Sequence, residues 1–202
     1  MLVPPTILFM ATSPLIDKYD LSSLRLIMSG AAPLGTGLTK RFIARLQANG
    51  AKDISLIQGY GLTETSPTTH LVPLEWSTKK IGSCGVLFPN LEARLVDDDG
   101  NDVIQSLKRD TVSSSGGDSD HDVTRSGELW LRGPSVMKGY LNNPSATKKS
   151  LTPDGWFKTG DVAIRDDDGF YYIIDRKKEL IKYKGFQGMP SFAISSRIPL
   201  HF

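Results

Sequence analysis

An α/β portion followed by a smaller β-rich portion is the fold class this chain predicts, and three observations predict it. Two short apolar runs, 24–28 (LRLIM) and 54–57 (ISLI), each empty into a glycine-containing turn. Between them Leu38, Phe42, Ile43 and Leu46 recur at helical spacing, and Asn49-Gly50 supplies a C-terminal stop. Past Ile81 the pattern changes to short candidate strands separated by turn residues.

Taken in order, the first run reads as a buried strand that opens into Gly30-Ala31-Ala32-Pro33-Leu34-Gly35, and the helix after it packs on the sheet. The second run delivers QGYGLTE, residues 58–64, at its carboxyl end, where ligands sit in open α/β sheets. Residues 1–80 thus form the α/β portion, with two ligand loops along one edge. Residues 81–175 form the β-rich portion, with strands expected at 91–96, 128–132, 162–165 and 170–175 and turns at the two DDDG runs, 97–100 and 166–169. A calcium loop starting at Asp97 would need glycine at its sixth position and glutamate at its twelfth, where the chain has Asp102 and Lys108. Residues 106–126, with TVSSSGGDSDHDV inside them, are polar and of low complexity, and a disordered insertion is expected there.

Composition narrows the function classes. Lys plus Arg is 24 against 22 for Asp plus Glu in 202 residues, so the net charge of +2 gives no reason to expect a nucleic-acid partner. No apolar run reaches the length of a membrane span, so no transmembrane segment is expected. The single cysteine, Cys84, excludes an internal disulfide and fits a reducing compartment.

Chemistry concentrates in a few segments. In QGYGLTE, Gly59 and Gly61 let the main chain approach a ligand and take dihedrals that a Cβ would forbid. Thr63 offers a hydroxyl to a phosphate oxygen, Glu64 a hard oxygen ligand suited to magnesium, and Tyr60 a flat face for a base. A polar turn between two core elements is the competing reading of those seven residues. Gly127-Glu128-Leu129 with Gly133 and Gly139-Tyr140 is weak alone and more often structural. GWFKTGD, residues 155–161, puts a carboxylate beside a glycine; such an aspartate can accept from two vicinal hydroxyls, as a ribose presents, or simply make a turn. DRKKELIKYKGFQ, residues 175–187, carries five cations between Arg176 and Lys184, which suits a phosphate or a solvated basic face. A dinucleotide fingerprint fails because Glu64 stands where its third glycine belongs, and no GxSxG supports a serine hydrolase.

In this order the segments resemble the AMP-forming adenylating enzymes, closest to their acyl-CoA synthetase and 4-coumarate:CoA ligase-like branch. The likeness runs through YDLSSLRLIMSGAAPLG (19–35), QGYGLTETSP (58–67), GELWLRGPSVMKGY (127–140), GWFKTGD (155–161) and DRKKELIKYKGFQ (175–187). The resemblance implies part of the large N-terminal domain of an AMP-dependent synthetase. It also implies roles. Gly30, Ala31 and Ala32 would lie along the adenine and the acyl pocket, with Gln58, Gly59 and Tyr60 completing the adenine slot. Thr63 would hold the α-phosphate, Glu64 the magnesium, and Asp161 both ribose hydroxyls, helped by Arg176. Residues 176–187 would be the hinge segment, with Lys178 as its pivot and Lys182 and Gln187 serving the adenylate. Pro67 and Thr68 would join Ala31 and Gly59 in the acid pocket.

The activity so implied is ATP-dependent: a carboxylic acid becomes an acyl adenylate and passes to coenzyme A. Loading of a carrier-protein thiol, or a non-catalytic nucleotide-binding product, are the alternatives. An intracellular location, cytoplasmic or peroxisomal, goes with such a ligase. Two departures from the family pattern stand out: the SSGTTGxPKG phosphate loop has no counterpart in these residues, and GMPSFAISSRIPLHF (188–202) does not continue into the expected C-terminal lobe. The expectation is therefore a fragment that cannot complete catalysis alone.

Overall fold

Parallel pairing of two apolar strands sets up the first layer of the computed structural model, which describes residues 1–103 and 126–177 and the backbone of 181–183 and 186–188. Helix α1 (Pro4–Thr12) starts on two prolines, where the missing N–H costs nothing, and buries Ile7 and Ala11. Strand β1 (Leu26–Ser29) and strand β2 (Ser55–Gly61) run in parallel, in register from Leu26↔Ser55 to Ser29↔Gln58. Such a pair needs a crossover. Helix α2 (Thr36–Ala48) supplies it, burying Phe42 and Leu46 and ending before Gly50 at φ +95°. Phe42, Leu46 and Leu56 meet Ile7 and Ala11 in one core.

The expected strand at 54–57 is longer than its apolar run. It continues through Gln58-Gly59-Tyr60-Gly61 because β3 (Thr68–Leu71) folds back on it antiparallel, pairing Gly59↔Leu71, Tyr60↔His70 and Gly61↔Thr68. Strand β4 (Val86–Leu87) completes the order β1-β2-β3-β4.

The β-rich portion is an antiparallel meander of β5 (Glu92–Val96), β6 (Gly127–Arg132), β7 (Phe157–Arg165) and β8 (Tyr171–Arg176). The DDDG runs turn as expected: the Asp97 carboxylate accepts from the backbones of Asp99 and Asn101, and the Asp166 carboxylate from those of Asp168 and Phe170. Between β6 and β7 lies a short helix, α3 (Pro144–Ser150), capped by the Asn143 side chain on the Ala146 N–H at 3.0 Å. The two sheets are joined just before β4 at Cys84 and Gly85, whose backbones exchange bonds of 2.9 Å with Tyr171. Lys80 adds ion pairs to Asp166 at 2.7 Å and Asp168 at 2.6 Å. Burial pushes the Cys84 thiol up to about 12, so it stays protonated. A last hairpin, β9 (Ile181–Tyr183) with β10 (Phe186–Gly188), sets Gln187 opposite Lys182 in backbone register. The expected insertion at 106–126, apart from Ser126, the hinge residue Lys178 and the tail beyond Gly188 lie outside the described residues.

Room, rather than dihedral freedom, is what Gly61 supplies. Neither Gly59 nor Gly61 has a positive φ. A Cβ on Gly61 would stand 1.9 Å from the Pro67 carbonyl oxygen. Gly61→Ala is therefore expected to destabilise the chain by about 2 kcal/mol in urea melts. Gly37→Ala is the control, because nothing lies within 4 Å of its Cβ position, and it should be neutral or slightly stabilising.

Candidate functional site

The carboxyl end of β2 and the middle of β7 meet at one hydrogen bond. Tyr60 donates its hydroxyl to Asp161 Oδ2 at 2.5 Å, and Arg176, opposite Asp161 on β8, places Nε 3.0 Å from Oδ1. Asp161 is 5% exposed. Burial and then the Asp161 charge raise the Tyr60 phenol above its ordinary range, so it remains a donor.

Asp161 does not make the simple turn that the sequence left open; it sits within a strand, at an irregularity. Register shifts fall between Glu128 and Trp130 on β6 and between Val162 and Ala163 on β7. Gly160 adopts φ +77°, a conformation that disfavours any side chain. Three further bonds hold the bulge: Gly160 N–H to Glu128 Oε1 at 3.0 Å, Thr159 hydroxyl to the Leu129 carbonyl at 2.7 Å, and Asp161 N–H to Thr159 Oγ1 at 3.0 Å. Glu128, in the segment that reads from sequence as more often structural, is thus a support of the bulge, and Thr159, to which the motif reading gave no role, is another. Lys177 reaches Glu128 at 3.5 Å and Asp98 at 2.8 Å.

The Gly30-to-Gly35 loop docks on β2 through Gln58, whose buried amide oxygen accepts from Leu34 N–H at 3.2 Å and whose nitrogen donates to the Leu34 carbonyl at 3.4 Å. Gln58 therefore shapes the slot by holding the loop. Gly30 is buried, whereas Ala31 and Ala32 are exposed, and Ala31 has φ +72°, an uncommon conformation for a residue with a Cβ. Beyond β2 the chain makes a single turn of 3₁₀ helix, Thr63–Thr65, which leaves Thr63 exposed and Glu64 half-buried. Tyr140 donates to Glu64 Oε1 at 2.8 Å. Pro67 is exposed and Thr68 half-buried at the start of β3. The side chains of Lys182 and Gln187 lie outside the described residues.

His70 lies beneath this site. Its ring centroid is 5.7 Å from that of Tyr60 and 4.6 Å, edge-on, from that of Tyr171. Thr69 Oγ1 lies 2.9 Å from His70 Nδ1 and 3.3 Å from the Tyr60 carbonyl, so the hydroxyl can serve either, and the ring tautomer sets which of Thr69 and His70 donates. His70 Nε2 is buried with no hydrogen-bond partner among the described residues.

A buried carboxylate on a β-bulge, sealed by the tyrosine of a glycine-rich strand end and by an arginine, is joined here by comparisons with known proteins. The family model described as AMP-binding enzyme matches residues 1–141. The chain belongs to the AMP-binding enzyme family. It is 40% identical over 190 residues to 4-coumarate–CoA ligase-like 4 of Oryza sativa subsp. japonica, a match covering 94% of this chain and 30% of that protein. To 4-coumarate–CoA ligase 1 of Arabidopsis thaliana it is 42% identical over 193 residues, with 94% and 30% covered. The chain thus spans about a third of the length of the curated relatives it matches. Among solved structures it is similar to the N-terminal domain of FACL13 from Mycobacterium tuberculosis (TM-score 0.62, 29% identity, covering 86% of this chain and 38% of that one). It is also similar to the amide bond synthetase McbA from Marinactinospora thermotolerans, with TM-score 0.68, 25% identity and 95% and 34% covered. Within AMP-binding enzymes, then, this chain is an α/β segment of the large N-terminal domain.

Proposed function

We propose that this chain is the nucleotide-binding part of an ATP-dependent acid:CoA ligase. The observation that carries the reading is Asp161, buried on the bulge between Tyr60 and Arg176, because it brings residues of three of the five motifs into direct contact. Asp161 would take the two ribose hydroxyls, since bonding Tyr60 and Arg176 does not by itself use up a carboxylate's acceptor capacity. Gly30, Ala31 and Ala32, held by Gln58, would form the wall against which the adenine lies, with Gly59 and Tyr60 at its base. Thr63, exposed on its turn, would donate to the α-phosphate. Pro67, Thr68, Ala31 and Gly59 would border the acid. Lys182 and Gln187 would serve the adenylate once Lys178 has turned the hinge.

Glu64 fits a magnesium ion. It is a half-buried carboxylate with Oε1 held by Tyr140, and no group of three ligating residues surrounds it among the described residues. That donor set suits an ion shared between one carboxylate and phosphate oxygens. When bound, magnesium supplies charge neutralisation at the attacked phosphorus.

In the whole protein the acid's carboxylate would attack the α-phosphorus, releasing pyrophosphate, and the coenzyme A thiol would then displace AMP from the acyl adenylate. This chain's residues bind and orient; they fix the nucleotide so that attack occurs within one complex. The test is equilibrium dialysis of labelled AMP against the chain, followed by ATP–pyrophosphate exchange by the natural product that contains it, with a panel of acids including 4-coumarate. Saturable AMP binding and acid-dependent exchange are expected. Binding without exchange would favour a non-catalytic nucleotide-binding role, and no binding would refute the reading. Thioester formation with coenzyme A, compared with a carrier-protein thiol, decides the acceptor.

A further inference from the structure

Both the main chain and the side chain of Glu64 are held by one distant segment. Met137 N–H donates to the Glu64 carbonyl at 2.8 Å, and the Tyr140 hydroxyl donates to Glu64 Oε1 at 2.8 Å. The Tyr140 turn is itself anchored. Its N–H donates to Thr147 Oγ1 at 2.9 Å, the Thr147 hydroxyl donates to the Asn143 carbonyl at 3.0 Å, and a Cβ on Gly139 would stand 2.8 Å from Thr147. The phenol is therefore presented from a turn packed against α3.

A glutamate at a surface turn has three side-chain torsions, the last of them broad and nearly two-fold, so its two oxygens exchange places readily. A donor fixed on one oxygen removes that freedom and leaves the other oxygen in one direction.

We propose that Tyr140 is a positioning residue for metal–nucleotide binding: by holding Glu64 Oε1 it presents Oε2 to a magnesium ion carried on the phosphates. This rests on the reading of Glu64 as the magnesium ligand. It couples the GELWLRGPSVMKGY and QGYGLTE motifs through one hydrogen bond between residues 76 positions apart.

The test titrates free Mg2+ while following binding of a fluorescent ribose-labelled ATP to the chain, with metal-free AMP affinity measured on the same samples. Tyr140→Phe should raise the Mg2+ concentration at half-saturation about tenfold, the usual scale for losing a hydrogen-bonding partner of a metal ligand. Its metal-free AMP affinity should match the unsubstituted chain, since Tyr140 is 38% exposed and phenylalanine keeps the ring. Glu64→Gln should abolish the Mg2+ dependence. If Tyr140→Phe keeps the original midpoint while Glu64→Gln has lost the response, Tyr140 is only a brace and the proposal fails. A Tyr140→Phe chain that loses metal-free AMP binding as well would also make it a brace. If Glu64→Gln retains the Mg2+ response, the magnesium reading fails first and takes the proposal with it.

Discussion

Asp161→Ala is expected to lower AMP affinity roughly a hundredfold, because in the proposed ribose role it would remove two charge-assisted hydrogen bonds that together contribute about 3 kcal/mol. The same change acts on the fold. The Tyr60 hydroxyl loses its acceptor at 2.5 Å, and Arg176, with a side chain 45% exposed, loses its ion pair with Asp161. A loss of about 1–3 kcal/mol in urea melts should follow, mostly from the tyrosine, whose buried hydroxyl loses that acceptor. Asp161→Asn separates the two effects. Its amide oxygen can still accept from Tyr60, so stability should fall less, while loss of the charge still weakens ribose binding and the Arg176 pair. Equilibrium dialysis and urea melts on both variants check this, and an unchanged AMP affinity in Asp161→Ala would remove the ribose role.

Chemistry was more legible in the sequence than contact. The helix was readable because Leu38, Phe42 and Leu46 keep a 3.6-residue period and Asn49-Gly50 ends it, and α2 runs over Thr36–Ala48. The hairpin turns were readable because Asp97 and Asp166 bond their own backbones two and four residues on. Helix α1 gave no such signal: PPTILFMAT is apolar on nearly every side, so no periodicity marks it. Strand β2 outran its apolar run because its last residues are ordered by β3, a partner whose residues, TTHL, carry little strand pattern.

The site divides in the same way. Tyr60, Glu64, Asp161 and Arg176 were singled out for what their side chains can donate, accept or ligate. What joins them is long-range. Tyr60 and Asp161 are 101 residues apart, Glu64 and Tyr140 76, and Glu128 and Gly160 32, so no local pattern carries these pairs. The bulge at Asp161 was hidden for a related reason. Gly160 reads equally as a turn glycine, and only its pairing against β6 and β8 makes it a mid-strand residue with φ +77°.

His70 had no motif context, and its burial gives the chain a pH dependence. Burial lowers its pKa from 6.5 to about 3 in the fold. Between those values the unfolded chain takes up a proton that the folded chain refuses, so stability is complete above pH 6.5 and declines as pH falls, by about 1.4 kcal/mol per unit. The neutral ring is kept because its surroundings offer no compensation: Tyr60 and Tyr171 present rings, Thr69 engages Nδ1, and Nε2 has no partner among the described residues. The window from pH 6.5 to 5 lies above the range in which ordinary carboxylates titrate, so a loss there reports the imidazole. Urea melts should lose about 2 kcal/mol across it. His70→Gln keeps a polar group of similar reach without the titration, and its stability should stay flat over the same window whatever its value at neutral pH. A parallel decline in both proteins would assign the pH dependence to other groups and leave His70 a neutral packing residue.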